Sequence, residues 1–303
     1  MNRDAALGVG AGVAVMVLFA GMLVVSRFGA TSSLTVYDMA GLRFGVAGIC
    51  TLPVIMSIRW PRLALWKMLV IAATSGSPFA LFLFAGMSYA PVAHGGIVIN
   101  GAMPVLAALV AWLAFGDRLG VWRIVGIVLI VSGVLATGWE ALAEGAPGQW
   151  RGHLLFLGAA ACNSVFLTSV RGWGITALQS LVIVNGINLL LYVPLWMLVL
   201  PSNLSATPWP EIALQGVYQG IVAAFIASIL IAHAARMLGG MRQAAIMSGA
   251  PAVAVLVAIP ALGEVPSVIS IAGVAVVTAG ILVAIGPGLL AGAASPMKSE
   301  PAT

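Results

Sequence analysis

"PVLAALVAWLAFGDRLGVWRIVGIVLIVSGVL" occupies residues 104–135, and "PAVAVLVAIPALGEVPSVISIAGVAVVTAGIL" occupies residues 251–282. A shift of 147 residues superimposes the two without a gap, placing Pro104 on Pro251, Gly116 on Gly263, Asp117 on Glu264, Gly126 on Gly273, Gly133 on Gly280 and Leu135 on Leu282. Each copy reads as an apolar helix, a short acidic turn and a Gly-rich closing helix. Any two helices of Ala, Val, Leu and Gly align passably. Here the Pro, Gly and acidic punctuation coincides as well, and recurrence at a fixed period marks internal repetition.

The composition around these stretches excludes a water-soluble fold. Of 303 residues, 62% are hydrophobic and 7% are charged, against roughly 25% charged in a soluble domain. The 13 Lys+Arg and 8 Asp+Glu cannot form the basic patch that nucleic-acid binding requires. A spanning helix needs about 20 mostly apolar residues. Such runs fall at 5–28, 34–58, 65–88, 91–115, 120–140, 150–171, 176–200, 211–235, 241–263 and 267–290. The expected fold is an all-α membrane protein of ten transmembrane helices, with a first five-helix repeat at 1–140, a second at 150–290 and a short cytoplasmic tail at 291–303. An odd number of spans per repeat sends the second copy into the membrane from the opposite side, so the repeats are inverted. Two inverted halves that exchange conformations are a hallmark of secondary transporters.

Cytoplasmic loops are enriched in Lys and Arg. With the amino terminus inside, Arg3, Arg59, Arg62, Lys67, Arg118, Arg123, Arg171, Arg236, Arg242 and Lys298 gather on the inner side, leaving Arg27 and Arg151 outside and Arg43 within the second span. Both termini are therefore expected in the cytoplasm. Asp38, Glu140, Glu144, Glu211 and Glu264 fall outside. The apolar run after Arg3-Asp4 reaches Val25, too long for a signal-peptide core of about 7–15 residues, and reads as a retained first helix. Cys50 and Cys162 lie inside apolar runs, with no CxxC pair and no His at metal-ligand spacing, so neither a disulfide nor a metal site is expected.

The chain resembles a ten-helix member of the drug/metabolite transporter superfamily, of the EamA type. The likeness is carried by "AGLRFGVAGICTLP" at 40–53, by residues 84–134 and by residues 249–281, and it covers nearly the whole chain. One departure is Leu18-Phe19-Ala20 in the first helix, where many relatives carry a tryptophan. The resemblance implies export of amino acids or other small metabolites from a bacterial inner membrane. It also implies a central cavity lined by spans one to four and six to nine, with the fifth and tenth at the periphery.

The candidate site residues are the polar groups inside spans, which are costly in lipid and should face other helices or water. Ser77, Asn100, Asn163 and Asn188 fall near the midplane with Ser248, whereas Tyr89, His94, Tyr192, Gln215, Tyr218 and Arg43 fall in the outer half and suggest a wet vestibule. Asn185, Asn188 and Tyr192 form one helical stripe, and Glu211, Gln215 and Tyr218 another. Each amide could equally make an interhelical hydrogen bond. Arg43 should have an anionic partner or bind one, Glu211 being a possible partner from another span and a substrate carboxylate the alternative. Pro104 and Pro251 should free the carbonyls of Asn100 and Met247 and so break or gate their helices.

No span carries a carboxylate near its centre, so the energy source is left open between proton antiport and facilitated exchange. His94 and His233 titrate in a useful range, although a helix-end His is usually structural. No G-x-x-x-x-G-K-[ST], HExxH or GxSxG motif occurs, and His94, His153 and His233 show no ligand spacing. The chain is thus expected to be a secondary transporter and not an enzyme, acting on a small-molecule substrate as a monomer in the lipid bilayer, without cofactor, metal or nucleic acid. A drug or cation efflux carrier of the same fold is the alternative, and a membrane-embedded enzyme or a non-transporting membrane protein represents a different class.

Overall fold

The computed structural model describes residues 3–58, 62–116, 120–143 and 146–294. Arg59, Asp117, Arg118, Glu144, Lys298 and the tail from residue 295 lie outside the described residues, while residues 291–294 continue the last helix. The helices are α1 (Arg3–Ala30), α2 (Val36–Ser57), α3 (Leu65–Thr74), α4 (Ser77–Tyr89), α5 (Val92–Phe115), α6 (Val121–Ala143), α7 (Gln149–Gly172), α8 (Ala177–Leu198), α9 (Trp209–Gln215), α10 (Ala227–Leu238), α11 (Gly240–Met247), α12 (Ala250–Leu262) and α13 (Val268–Ala294). A π-helical segment, Gly216–Ile226, joins α9 to α10. No strand occurs among the described residues. Together these make ten stretches long and apolar enough to cross a membrane, from Leu7–Ala30 to Val268–Gly286, as the hydropathy reading requires.

Local chemistry fixes the helix ends. Spans two and seven both open on capping boxes, Thr35 with Asp38 and Thr176 with Gln179, each pair satisfying two backbone N–H groups reciprocally. Gly116 and Gly263, the matched glycines of the repeat, both close their helices in the left-handed conformation at φ 69°. That conformation is strained for any residue with a Cβ.

α1 packs against α4, α10, α12 and the π segment, α2 against α8, and α7 against α4 and α5. α6 and α13, the fifth and tenth spans, pack on each other at the side of the bundle. The glycines explain the close crossing. A Cβ at Gly126 would stand 2.6 Å from the Gly280 carbonyl oxygen, and one at Gly133 would stand 3.3 Å from that of Gly273. Under the 147-residue shift Gly126 becomes Gly273 and Gly133 becomes Gly280, so the two contacts exchange into one another. The register of this interface is therefore two-fold. Elsewhere α6 presents Trp122, Val128, Leu135, Trp139 and Leu142 outward. An apolar exterior on a helix with internally bonded backbone is what lipid demands.

Candidate functional site

Two spans that read as continuous apolar runs are interrupted. The third breaks at Ser75 and Gly76, between α3 and α4, with Pro78 in the first turn of the new helix, where a missing N–H costs nothing. Asn188 of α8 bridges the break. Its Nδ2 donates to the Ala72 carbonyl at 2.9 Å and to the Val184 carbonyl at 2.8 Å, and its Oδ1 accepts the Ser77 N–H at 2.9 Å. A Cβ at Gly76 would collide with the Asn188 side chain and the Ala72 carbonyl. The ninth span breaks between α11 and α12 at Ser248 and Gly249, so Pro251 begins a helix instead of kinking one from within. Pro104 does lie inside α5.

One interruption has a counterpart under the 147-residue shift. Residues 74–77 fall at 221–224, inside the π segment of span eight, so spans three and eight depart from regular α-helix at corresponding places. Pro104 shifts onto Pro251, but α5 runs on as α-helix through Pro104 whereas span nine breaks just before Pro251. Gly96 of α5 lies against Pro251, at 3.4 Å from a Cβ built there to the Pro251 Cα. Asn100 is buried and donates to the Gly96 carbonyl of its own helix at 2.9 Å.

Span eight is fastened to α1. Gln215 donates to the Val25 carbonyl at 2.8 Å, the Tyr218 hydroxyl to the Leu18 carbonyl at 3.2 Å, and Gln219 Nε2 to Ser26 Oγ at 2.9 Å. Gln219 Oε1 accepts from Arg43 Nη1 at 2.9 Å, and Met22 Sδ lies 3.5 Å from the same nitrogen. Arg43 is buried, its Nε has no partner, and no carboxylate among the described residues pairs with it. The expected partner Glu211 does not reach it. Asp38 is also buried, and it accepts from Trp196 Nε1 at 3.0 Å, Ser202 Oγ at 2.6 Å and the Asn203 N–H at 2.9 Å, besides serving its capping box. It therefore joins α2, α8 and the following loop instead of wetting a vestibule.

The remaining candidates disperse. Asn163 of α7 reaches Met103 Sδ at 3.2 Å, beside Ser164, whose Oγ lies 2.9 Å from the Met103 carbonyl. Tyr192 donates to the Tyr37 carbonyl at 3.2 Å and packs edge-on to Phe44. Tyr89 is exposed at the end of α4. Ser77, Asn188 and Tyr192 share a cavity of about 260 Å³ between α3, α4 and α8.

A second cavity, of about 280 Å³, opens between α5, α6, α7, α12 and α13 and is lined by His94, Glu140, Gln149, Glu264, Ser267 and Ser270. His94 Nδ1 lies 2.9 Å from His153 Nε2, although the two residues show no motif spacing. Glu264 holds this end of the bundle together. Its Oε1 accepts from Arg27 Nε at 2.6 Å and its Oε2 from the Val92 N–H at 2.9 Å, while Arg27 Nη1 also donates to the Met87 carbonyl. His153, Gln149, Ser270 and the Arg27–Glu264 pair were not among the expected site residues. Their association depends on packing between helices far apart in the chain.

Ten helical stretches long and apolar enough to cross a membrane make this a multi-pass membrane protein. Residues 6–139 match the family described as "EamA-like transporter family". No curated protein matches the chain. A solved structure, titled only "Crystal structure of protein", is 22% identical and superimposes with a TM-score of 0.59 over 89% of this chain and 97% of its own. That likeness concerns the fold. With ten spans the chain is a multi-pass membrane protein, and its first half is similar to the EamA-like transporters.

Proposed function

We propose that the protein is a secondary transporter that moves a small metabolite, an amino acid or a related compound, outward across the bacterial inner membrane by alternating access. The carrying observation is the departure from regular α-helix at corresponding places of spans three and eight, with a further break in span nine at Ser248 and Gly249. Freed backbone groups and unwound turns near the midplane are where transporters of inverted repeats bind their cargo, and π segments recur at functional sites. In this reading residues 1–140 and 150–290 are the two repeats. The end carrying Glu264 faces the periplasm and the termini face the cytoplasm, as the distribution of Lys and Arg supports.

Arg43 supports an anionic group on the substrate. A buried guanidinium held by a neutral amide, a thioether and the Phe44 ring, whose centroid lies 5.9 Å from Cζ, has no carboxylate partner among the described residues, and a substrate carboxylate meeting it would supply that charge. A cationic drug would be repelled there. The test uses purified protein in liposomes, with counterflow of an equimolar mixture of ¹⁴C-labelled L-amino acids and, separately, of tetraphenylphosphonium. Saturable amino-acid exchange that falls at least tenfold in Arg43→Gln supports the reading. Exchange of tetraphenylphosphonium alone refutes it.

A further inference from the structure

We infer that the His94–His153 pair, with Glu140 as its countercharge, is a proton-binding site that couples proton movement to transport; the inference rests on the transport reading above. A continuous polar chain leads from the second cavity inward. Glu140 Oε2 lies 3.2 Å from Ser270 Oγ, Ser270 Oγ lies 3.1 Å from His94 Nε2, and His94 Nδ1 lies 2.9 Å from His153 Nε2. Glu140 Oε2 is itself 3.9 Å from His94 Nε2. Both imidazoles are buried.

Gln149 fixes the state of the pair. Its Oε1 accepts the Ala146 N–H at 3.0 Å, which turns its Nε2 toward His94 Nδ1, also at 3.0 Å. The amide can only donate, so His94 Nδ1 accepts and its proton sits on Nε2, facing Ser270 and Glu140. A proton added at His153 Nε2 is donated across the contact at 2.9 Å to the one lone pair of His94 Nδ1, displacing the Gln149 N–H and making a charge-assisted N–H⁺···N bond. One proton is held and a second is repelled by the first. The resulting cation lies beside Glu140, which supplies the neutralisation that a charge in a membrane interior requires.

The site is placed to act on conformation. Among the groups packed around it, α6 contributes Glu140 and the turn after α12 contributes Glu264, itself bound to Arg27 of α1. α7 contributes His153, with Arg151 exposed in its first turn, and α13 contributes Ser270 and no titratable side chain among the described residues. Tyr89 of α4 packs on Gly152, the neighbour of His153. Glu264 holds the Val92 N–H two residues before His94. A charge gained by the His94–His153 pair therefore acts beside the junction that ties α1, α5 and α12 together. The proton enters from water in the cavity and leaves by the same chain or with the alternate conformation. On loading, an O–H bond of hydronium breaks as the N–H bond forms, leaving water; on release the N–H bond breaks and the proton returns to water.

Two measurements test this. In nanodiscs without substrate, the ¹⁵N shifts of His94 and His153 should move at a common midpoint, and His153→Gln should displace the His94 step. Independent titration of the two rings overturns the proposal. In liposomes with the membrane potential clamped by potassium and valinomycin, a gradient of one pH unit should accumulate the ¹⁴C amino-acid mixture about tenfold for one proton exchanged, because one unit corresponds to about 1.4 kcal/mol. That accumulation should collapse toward unity in His153→Gln, His153→Asn and Glu140→Gln that elute as folded protein. Exchange indifferent to a pH gradient of either sign overturns the coupling and leaves the transport reading standing. Absence of any amino-acid exchange overturns the substrate reading, and the ring titration then decides the proton site.

Discussion

Replacing Asn188 with Leu separates a structural strut from a substrate ligand. The amide serves three backbone groups, but the Val184 carbonyl belongs to a regular turn of α8 and keeps its helical partner. The Ala72 carbonyl and the Ser77 N–H, on either side of the break in span three, depend on the side chain. Polar contacts between membrane helices contribute about 0.6 kcal/mol on average and up to about 1.7, so losing two should cost about 1–3 kcal/mol. At about 2 kcal/mol the folded-to-unfolded ratio falls roughly 30-fold. Equilibrium unfolding in mixed dodecyl sulfate micelles reads this directly. Asn188→Asp, which keeps the acceptor for Ser77 and loses the donor to Ala72, should fall between wild type and Leu. Unchanged stability in Asn188→Leu, with KM for exchange raised tenfold, would refute the strut and make the amide a substrate contact.

Arg43→Met should leave stability unchanged or raise it, by up to about 4 kcal/mol, because a buried charge is exchanged for an apolar chain of similar length; the same unfolding assay checks the sign, and a fall of several kcal/mol would mean that Gln219 compensates the charge. Asp38→Ala should cost about 3 kcal/mol, since it strands the buried donors of Trp196, Ser202 and Asn203, and a near-neutral result would contradict the joint described for α2 and α8. Gly280→Leu should destabilise by about 1–3 kcal/mol through overpacking against Gly126 and Ile130, whereas Gly286→Leu, with open space around it, should be silent. Cysteines replacing Arg27 and Glu264, bridged by a short bis-methanethiosulfonate reagent that spans the two side chains they replace, should stop counterflow, and reduction should restore it; undiminished exchange in the bridged protein would show that this end need not open.

Much of the fold was legible because apolar run length is a local property. Ten stretches of suitable length leave little choice, and Gly116 and Gly263 announced their left-handed ends through the repeat. The break in span three also left a trace, since Ser75-Gly76-Ser77-Pro78 is a strong breaker signal, but it lies inside a run whose mean hydropathy conceals it. The π segment left none. Its sequence, Gly216 to Ile226, differs little from that of an ordinary membrane helix, and the segment packs against α1 and α2. Polarity marked the candidate side chains but not their partners. Gln215, Tyr218 and Gln219 form one face, as their spacing requires, and that face meets α1. His94 and His153 are adjacent only because α5 and α7 lie side by side.

The glycine crossing of α6 and α13 has a consequence for how such a chain could arise. Because Gly126 against Gly280 maps onto Gly273 against Gly133, the surface each helix offers is the surface it receives, which is the definition of an isologous contact. A five-span polypeptide inserted in both orientations would meet an upside-down copy of itself across the same two glycine pairs. Joining two such copies end to end into one gene requires no new interface, only a tether such as the short link between α6 and α7.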